Sequence, residues 1–459
     1  MMRSDNRIFN HVSIYTPKPQ NRAVGVAWNG QKKFECMREK EEEGAFTLLT
    51  SISCPSRVLY FCKKERLAIY TELIITQHYS VIHLSSLYMP RLIFDMRGFI
   101  LSIVICTLLS SAVEIDFSFT PRPIGAMSGH DIECHQFDCP IIALEEHFAS
   151  SKSLETQAIY AKFPSHIISK LKSLDEERIR DMDKGRVSLQ IISHGCGDLS
   201  PTLCTAVNDD LAAAIAKNPN RLAGFATLPM GDPAEAASEL ERCIRHLPGF
   251  VGALIDSHLA DGQFYDNERF WPVFAKAEDL DVPVYIHPTF ASDSMMEQHY
   301  EGNYSDSVAL ALSAFGWGWH VETGLSILRL FASGLFDRFP HLKIIIGHMG
   351  ELLPFQIDRV FAVSDNWGGA KRQRGLREVW RNNLYITTSG MFSLAPLACL
   401  LQTMPIDHVL YSIDYPFSPN EKGFDFLEEI CKSGLIKGED LELFAFRNAE
   451  TLLRVKAVK

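Results

Sequence analysis

From Ile141 to its end, the chain repeats a pattern that few folds accommodate. Short apolar runs rich in β-branched residues alternate with stretches that have the spacing of amphipathic helices, as consecutive βα units do. Eight such runs are present, at residues 141–147, 187–193, 222–228, 250–255, 282–287, 342–348, 384–389 and 408–414. The pattern therefore predicts an α/β fold with eight strands.

The stretches between the runs include clear helical patterns at residues 209–217, 233–246, 267–278 and 323–336. Eight strands with intervening helices match a (β/α)8 TIM-type barrel, which needs ~250 residues and fits within residues 141–459. An open doubly wound sheet is the alternative. That fold predicts a glycine-rich phosphate loop after the first strand, and the sequence has none there. We predict the barrel.

Residues 1–140 differ from the rest of the chain because they show no sustained hydrophobic period. Apolar runs such as residues 57–62 alternate there with charged clusters such as residues 38–43. We assign no fold to this part. We predict that residues 1–140 are an N-terminal extension that is irregular or results from an incorrect gene prediction. A catalytic barrel domain follows at residues 141–459.

An internal segment, residues 96–113, has the layout of a secretory signal, with a basic start, an apolar run and small residues. It could act as a signal only if translation began at Met96. The apolar run is also shorter than the ~20 residues of a membrane span. We therefore expect a cytoplasmic protein with no membrane partner, and secretion is the alternative for a chain that starts at Met96.

Charge and cysteine content restrict the partners. The net charge of −11 and the pI near 5.8 leave no basic field for nucleic acid or an anionic membrane, so we expect a small-molecule partner. The eleven cysteines include no Cys-x-x-Cys pair. This argues against a disulfide scaffold and against a cysteine metal site, and we expect reduced thiols.

Ionisable residues stand at the ends of the predicted strands. Glu145 and His147 end the first run, His287 the fifth, His348 the sixth and Asp414 the eighth. The C-terminal strand ends of a barrel form the mouth where its chemistry takes place. In an extended run, Glu145 and His147 share one face and the residue between them points to the other.

A single histidine at a strand end is more often a hydrogen-bonded structural residue. The set of two carboxylates and two imidazoles is different, because these groups are costly to bury together unless a cation neutralises and orders them. We predict that Glu145, His147, His287 and Asp414 bind a divalent metal. Mixed oxygen and nitrogen ligands suit Zn, Mn, Fe or Mg, and the lack of thiolate ligands argues against a structural zinc.

We interpret His348 as an acid/base group that Glu351 orients, although Glu351 could instead cap the following helix. Arg359, in that helix, could bind a substrate carboxylate through its bidentate fork, or be an ordinary surface residue.

The long segment 288–320 is predicted to form a lid or a subunit contact. Its aromatic cluster at residues 315–319 could stack on an aromatic substrate, although packing within the lid is the commoner use. His258 and His320 are secondary candidates that we expect to be polar lining.

Several motifs together resemble one family. Ala-Leu-Glu-Glu-His-Phe at 143–148, Tyr-Ile-His-Pro at 285–288, Gly-His-Met-Gly-Glu at 347–351 and Ser-Ile-Asp-Tyr-Pro-Phe at 412–417 resemble the amidohydrolase-related aromatic-acid decarboxylases, and the segment 332–337 does too. This group includes the 2,3-dihydroxybenzoate and γ-resorcylate decarboxylases and, more distantly, aminocarboxymuconate semialdehyde decarboxylase. The resemblance spans 141–459.

The resemblance implies a non-oxidative decarboxylase that converts a hydroxylated aromatic acid, such as a dihydroxybenzoate, into a phenol and CO2. It implies one divalent metal (Zn, Mn or Mg), a catalytic pair formed by His348 and Glu351, substrate contact by Arg359, and a homodimer or homotetramer. The first strand carries Glu-x-His where hydrolytic members carry His-x-His, and no lysine ends the fourth strand, which favours one metal. Either His348 or Asp414 protonates the ring. Residues 193–197 and the lid depart from the resemblance, so the substrate stays open.

Two other functions compete with decarboxylation. The same ligands could hold a metal-bound hydroxide in a hydrolase or hydratase acting on a lactone or an unsaturated acid. The barrel could also be an inactive binding protein, against which the complete set of ionisable strand ends argues.

Overall fold

The computed structural model describes residues 137, 139–154, 160, 163–195, 197–365, 367 and 372–458, and the backbone of three strands before residue 74. Contacts divide the chain into two compact units, Met1–Ser128 and Gly129–Lys459. In the first unit, β1 (Phe46–Leu49), β2 (Ser56–Lys63) and β3 (Arg66–Leu73) form an antiparallel sheet in that order. No strand was predicted there. The signal-like segment 96–113 lies outside the described residues.

The second unit contains eight parallel strands whose spatial order is their order in the chain. They are β4 (Ile142–Phe148), β5 (Leu189–His194), β6 (Leu222–Thr227), β7 (Phe250–Asp256), β8 (Val284–His287), β9 (Ile344–Ile346), β10 (Leu384–Thr387) and β11 (Val409–Leu410). Each lies within or overlaps a predicted run. The (β/α)8 barrel predicted from the sequence is therefore confirmed.

The barrel closes where β4 meets the chain that follows β11. Only a single bridge, between Leu144 and Ser412, joins the two here in the described residues. Two backbone hydrogen bonds support it, from Leu144 N to Tyr411 O at 3.2 Å and from His147 N to Tyr415 O at 2.6 Å. The first and last strands of the barrel therefore meet through an irregular seam rather than a regular ladder.

Two hydrophobic clusters form the barrel core. Successive side chains of a strand face opposite sides, so alternate residues point into the barrel and the others point towards the helices. The inner cluster includes Ile142, Leu144, Ile191, Phe225, Tyr285, Ile345 and Leu410, with Leu452 and Leu453 of the last helix. The outer cluster joins the remaining strand residues to the helices and includes Phe137, Ile192, Leu211, Leu240, Phe274, Ile286 and Ile346. Because both faces of the strands are covered, the runs read as nearly continuous apolar sequence.

Helices follow the strands around the outside. They are α1 (Ser151–Leu154), α2 (Ser165–Lys172), α3 (Glu176–Lys184), α4 (Pro201–Lys217), α5 (Pro233–His246), α6 (Trp271–Asp279), α7 (Asp306–Ser313), α8 (Gly318–Ala332), α9 (Leu335–Arg338), α10 (Leu353–Ser364), α11 (Leu376–Asn382), α12 (Leu394–Thr403), α13 (Asn420–Ser433), α14 (Glu439–Glu442) and α15 (Asn448–Leu453). Further helical turns occupy Glu268–Phe270, Asp293–Met295, Met296–Tyr300, His348–Glu351, Ile406–His408 and Leu443–Arg447. None of the described helices has both the length and the hydropathy that crossing a membrane requires.

The helix ends explain where the predicted boundaries differ. Helix α4 begins at Pro201 instead of residue 209, because the Ser200 side chain accepts a hydrogen bond from Leu203 N and proline suits the first turn. Helix α5 has the predicted bounds and the same kind of cap, from Asp232. The predicted helix 323–336 is two helices, because Gly334 separates them in the left-handed conformation at φ 86°.

The expectation of reduced thiols holds only in part. Cys204 and Cys243 are buried free thiols, and burial raises the pKa of Cys204 to about 12. Cys431 on α13 is disulfide-bonded. The sequence analysis did not predict this bond, because it relied on cysteine spacing motifs and found none. Disulfide pairing depends on which residues the fold brings together, and sequence spacing does not give that.

Candidate metal centre and active site

Four predicted ligands meet at the mouth of the barrel. Glu145 Oε1 lies 3.3 Å from His287 Nε2, and His147 Nε2 lies 3.4 Å from Asp414 Oδ1. The rings of His147 and His287 have their centroids 4.7 Å apart. Ligand atoms of Glu145, His147 and His287 all lie within 4.8 Å of one another, and Asp414, in the chain after β11, adjoins this group through its contact with His147.

This arrangement fits a divalent cation. Glu145 Oε1 and His147 Nε2 are buried and have no hydrogen-bond partner among the residues that the structure describes. A buried polar atom without a partner is costly, and a metal ion is one way to satisfy it. Ser193 Oγ lies 3.3 Å from His147 Nδ1, which leaves Nε2 to face the other ligands. Neutral imidazole and carboxylate are the ligands that zinc or manganese accepts.

Three hydroxyl groups fix the carboxylate of Glu145 from behind. Tyr285 and Ser389 donate hydrogen bonds to its Oε2, and the Thr387 hydroxyl lies 3.5 Å from the same atom. A side chain at position 347 would collide with this group, since a Cβ added to Gly347 would lie 2.6 Å from Glu145 Oε2. The sequence analysis missed these hydroxyl groups. Tyr285 stands two residues before His287 on one strand, so alternation could have found it.

The neighbouring glutamates of β4 behave oppositely. Burial raises the pKa of a carboxyl group, but the nearby imidazoles of His348, His287 and His147 outweigh it and hold the pKa of Glu145 well below its usual range. Burial dominates at Glu146, whose pKa rises to about 8 although hydrogen bonds from two backbone N–H groups oppose that shift. Glu145 is therefore the anion of the pair that faces the site.

Strand β4 is not the regular extended run that the sequence analysis assumed. Its register shifts between Ala143 and Glu146, and Glu145 has a positive φ of 61°. This irregularity is a β-bulge, a feature often found beside active sites. Glu145 and His147 nevertheless face the same point, as predicted, and Glu146 faces away.

Beside the ligands, one carboxylate joins two imidazoles. Glu351 Oε1 lies 2.8 Å from His348 Nδ1, and Glu351 Oε2 lies 2.7 Å from His320 Nδ1. Glu351 therefore contacts His348 as the predicted orienting role requires, and its side chain makes no capping hydrogen bond to helix α10. His320 was expected to be polar lining, and its bond to Glu351 makes it part of this group. The partner comes from α8, and spacing along the sequence gives no signal for it.

The protonation of this group follows from its charges. Burial lowers the pKa of a histidine, but the carboxylates of Glu351 and Glu145 outweigh that effect and raise the pKa of His348 to about 10. His348 and His320 in turn lower the pKa of Glu351, against its burial. In the metal-free protein, these carboxylates therefore favour a protonated His348 next to the predicted metal site.

Much of the site has backbone in the left-handed region. The non-glycine residues with positive φ include Glu145, His348, Met349, Glu351, Leu352, Ser389 and Asp414. Such conformations cost about 1–3 kcal/mol each and are kept where the surrounding structure enforces them, commonly at functional sites. Their concentration here marks the mouth as the functional end of the barrel.

An aromatic pocket opens next to the ligands. The Trp319 ring lies 6.3 Å from the ring of His287, and the Phe417 ring lies 5.9 Å from the ring of His147. The described lining comprises His147, Tyr160, Phe163, Leu171, Gly195, His287, Phe290, Phe315, Trp319, Asp414 and Phe417. Apart from the predicted ligands, these side chains are largely apolar, which suits a flat aromatic molecule.

Two candidates lie elsewhere. Arg359 is exposed on α10 and is not among the described residues that line the pocket. His258 is buried with its Nδ1 2.8 Å from Leu259 O and its ring against Phe264, which is the environment of a structural histidine. The structure therefore brings together the predicted site residues except Arg359, and it places the secondary candidate His258 outside the described lining of the pocket.

The fold and site match a known family. A family model described as amidohydrolase matches residues 175–455 of the chain. The chain belongs to the amidohydrolase family. The first barrel strand, which carries Glu145 and His147, precedes the matched segment, and the remaining predicted site residues lie within it.

Individual members of the family give a finer comparison. The chain is 46% identical over 330 residues to the Emericella nidulans protein named decarboxylase orsB, covering 70% of this chain and 98% of that one. It is 35% identical over 334 residues to the γ-resorcylate decarboxylase of a Polaromonas species, covering 68% of this chain and 98% of that one. These relatives confirm the resemblance to aromatic-acid decarboxylases that the motifs predicted.

A solved structure agrees with them. A dihydroxybenzoic acid decarboxylase from Polaromonas, crystallised with bound manganese and the inhibitor 2-nitroresorcinol, matches with a TM-score of 0.61 and 33% identity. The match covers 69% of this chain and 97% of that chain. Both kinds of comparison therefore extend over nearly the whole of the related proteins.

Proposed function

We propose that this amidohydrolase is a metal-dependent, non-oxidative decarboxylase of a hydroxylated aromatic carboxylic acid, which it converts into a phenol and CO2. The observation that carries the proposal is the junction of an oxygen- and nitrogen-ligand cluster with an aromatic pocket in one barrel mouth. The similarity to named decarboxylases, one of them holding manganese, supports the same chemistry.

The metal ligands in this proposal are Glu145, His147, His287 and Asp414. Their converging atoms and the missing hydrogen-bond partners of the first two support the assignment. When bound there, the divalent cation supplies a Lewis acid and a template for the substrate carboxylate and an ortho hydroxyl group. The β7 strand ends in Asp256 and offers no lysine for a second metal, which favours one ion per chain.

Proton transfer is assigned to His348, with Asp414 as the alternative acid. The acid donates a proton to the ring carbon that carries the carboxylate. The bond from that carbon to the carboxyl carbon then breaks, its electron pair restores the aromatic ring, and CO2 leaves. Each turnover consumes one proton, which solvent returns to the acid. In the metal-free protein, the carboxylates of Glu351 and Glu145 raise the pKa of His348 against its burial, and the contact with Glu351 supports this role because it favours the protonated ring.

The lid aromatics hold the ring of the substrate in this proposal. Trp319 packs against Phe290 with centroids 5.2 Å apart, and together they form one wall of the pocket. Phe417 and Phe163, 5.4 Å apart, form the opposite wall. These walls exclude water from the reacting carbon, which favours its protonation by the positioned acid over side reactions.

A homo-oligomer is the proposed assembly. Phe355 is 81% exposed on α10 and Phe315 is 67% exposed on the lid, and large apolar residues at such exposure favour a protein contact. Arg359 follows Phe355 by one helical turn, so a second copy that covers Phe355 also meets Arg359. We propose that Arg359 contacts the substrate carboxylate in the assembly, and that R359M raises KM about tenfold with metal content unchanged. Sedimentation of the F355S variant tests the assembly itself.

A cytoplasmic location remains part of the proposal, and cell fractionation tests it. N-terminal sequencing of the purified protein that revealed a start at or after Met96 would favour secretion instead.

The deciding experiment measures CO2 release from a panel of ortho-hydroxylated benzoates by the full chain. The protein is assayed as purified, after chelation, and after addition of Mn, Zn or Mg. We expect release that chelation abolishes and one added metal restores. If folded, metal-loaded protein releases no CO2 but opens a lactone ring or hydrates an unsaturated acid, the hydrolase or hydratase alternative is correct.

A further inference from the structure

We infer that Glu146 is a positioning residue that holds the peptide groups on both sides of Asp414 and so sets the affinity of the site for its metal. The inference rests on the proposed ligand set. Neither the family resemblance nor the proposed mechanism gives this residue a role. It lies between two proposed ligands but faces away from the metal.

The contacts of Glu146 are specific. Its side chain is fully buried. Ile413 N donates to Oε1 at 2.9 Å, and Tyr415 N donates to Oε2 at 3.0 Å. Each oxygen of this carboxyl group thus accepts a hydrogen bond from one of the two residues that flank Asp414 in the chain.

Asp414 needs such support because of its backbone. Strand β11 ends at Leu410, so no ladder of hydrogen bonds reaches this far. Asp414 itself has a φ of 67°, a conformation that residues with a side chain rarely adopt. Without Glu146, two buried N–H groups would lose their acceptor and the peptide would be free to leave the left-handed region.

A second contact ties the same segment from the other side. The buried Arg178 donates to His147 O at 2.5 Å, and its guanidinium lies 4.7 Å from the centroid of the Tyr415 ring. The strand that carries Glu145 and His147 is therefore joined directly to the segment that carries Asp414. Relative movement of the strand and the segment would separate the proposed ligands. We call the contacts of Glu146 with Ile413 N and Tyr415 N the clamp, and we expect it to strengthen metal binding.

The test is metal affinity of the E146Q variant in the full chain. Glutamine offers one carbonyl oxygen, so one of the two N–H groups loses its acceptor. Titration of metal-free protein with Mn²⁺, with free Mn²⁺ followed by electron paramagnetic resonance, should show affinity reduced roughly 10–100-fold, as for other groups that orient metal ligands. At saturating Mn²⁺, KM should match the wild type and kcat should largely recover.

E239Q is the matched control. Glu239 is also buried and accepts hydrogen bonds, from Arg242 at 2.8 Å and Asn208 at 2.7 Å, but neither it nor these partners line the described pocket. We expect E239Q to lower thermal stability and leave Mn²⁺ affinity unchanged. If E146Q does not fold, E146D replaces it, because its shorter side chain keeps the carboxyl group but reaches fewer of the N–H donors.

Several outcomes overturn the inference. Wild-type Mn²⁺ affinity in folded E146Q would do so, as would an equal loss of affinity in E239Q, which would mean a general effect of stability. If the wild-type protein binds no Mn²⁺, both the proposed ligand set and the proposed role of Glu146 are wrong. If the wild-type protein binds Mn²⁺ tightly but releases no CO2, only the proposed reaction is wrong. A reduced Mn²⁺ affinity of E146Q would then still support the role of Glu146.

Discussion

The barrel mouth contains two groups of ionisable residues, the ligand half with Glu145 and His147 and the other half with Glu351, His348 and His320. They differ in how their polar atoms are paired. In the ligand half, Glu145 Oε1 and His147 Nε2 are buried without hydrogen-bond partners among the described residues. In the other half, both oxygens of Glu351 are paired, with His348 and His320. The first half is incomplete as protein alone and fits an added cation, whereas the second is complete by itself and fits the handling of a proton.

The largest effect is expected from breaking the ligand half with H287A. Loss of one of four ligands should reduce bound manganese from one ion to near zero per chain, and CO2 release should fall roughly 10⁴-fold, since a metal contributes several kcal/mol to such reactions. Metal analysis and a CO2 assay on the same sample provide the measurement. One tightly bound ion in H287A would disprove the ligand assignment.

H348N breaks the other half alone. Manganese affinity should stay within about twofold, because His348 is not among the proposed ligands. kcat should fall about 10²–10³-fold, as is usual for the loss of a positioned acid or base. Turnover equal to the wild type would transfer the acid role to Asp414.

The pH dependence of stability sharpens the comparison in metal-free protein. The folded-state pKa of His348 is raised to about 10 from its ordinary 6.5. Its contribution to stability is therefore complete below about pH 6.5 and is lost as the pH rises through about 10. Urea denaturation at several pH values should show wild-type stability falling across this range more steeply than that of H348N. Parallel curves would contradict the shift.

H320L tests whether His320, the second imidazole that contacts Glu351, contributes to turnover. Loss of one donor to the buried Glu351 should reduce kcat about tenfold, in line with a hydrogen bond to a charged group. Manganese affinity and KM should not change. H299L is a suitable control, since the His299 side chain is more than half exposed in segment 288–320 and its Nδ1 lies 3.9 Å from Glu322 Oε1, beyond hydrogen-bond distance. Equal effects of the two substitutions would argue against a role for His320.

The smallest effect is expected from S193A in the ligand half. Ser193 Oγ is 3.3 Å from His147 Nδ1, which is long for a hydrogen bond, so it orients the ring only weakly. Manganese affinity should fall about two- to fivefold, less than the ~10–100-fold typical of stronger supporting groups. The same manganese titration measures it, and a larger loss would show that this contact fixes the imidazole.

The sequence predicted the barrel because its period is local, and it predicted most of the site because parallel strand ends must meet. The strand runs and Glu145, His147, His287, His348 and Asp414 all follow from those two facts. His320 and Glu146 could not be found in this way. Their roles depend on contacts between β4, α8 and the segment after β11, and a pattern along the chain does not specify such distances.

The same limit explains the other differences. The bulge at Glu145 is invisible in a run that reads as a regular strand, because it depends on pairing with β5. The disulfide of Cys431 depends on a partner chosen by the fold. Helix α4 is the exception, since the Ser200–Pro201 pair was a readable start signal.

The irregular seam also has a meaning for biosynthesis. Glu146 and the backbone groups from which it accepts hydrogen bonds are 267 and 269 residues apart in the chain, and the proposed ligands on the two sides of the seam are equally far apart. A ribosome makes the first two ligands early and Asp414 near the end. With the proposed ligand set, a nascent chain can complete the metal site only after residue 414 has emerged and the barrel has closed, so metal binding follows barrel closure.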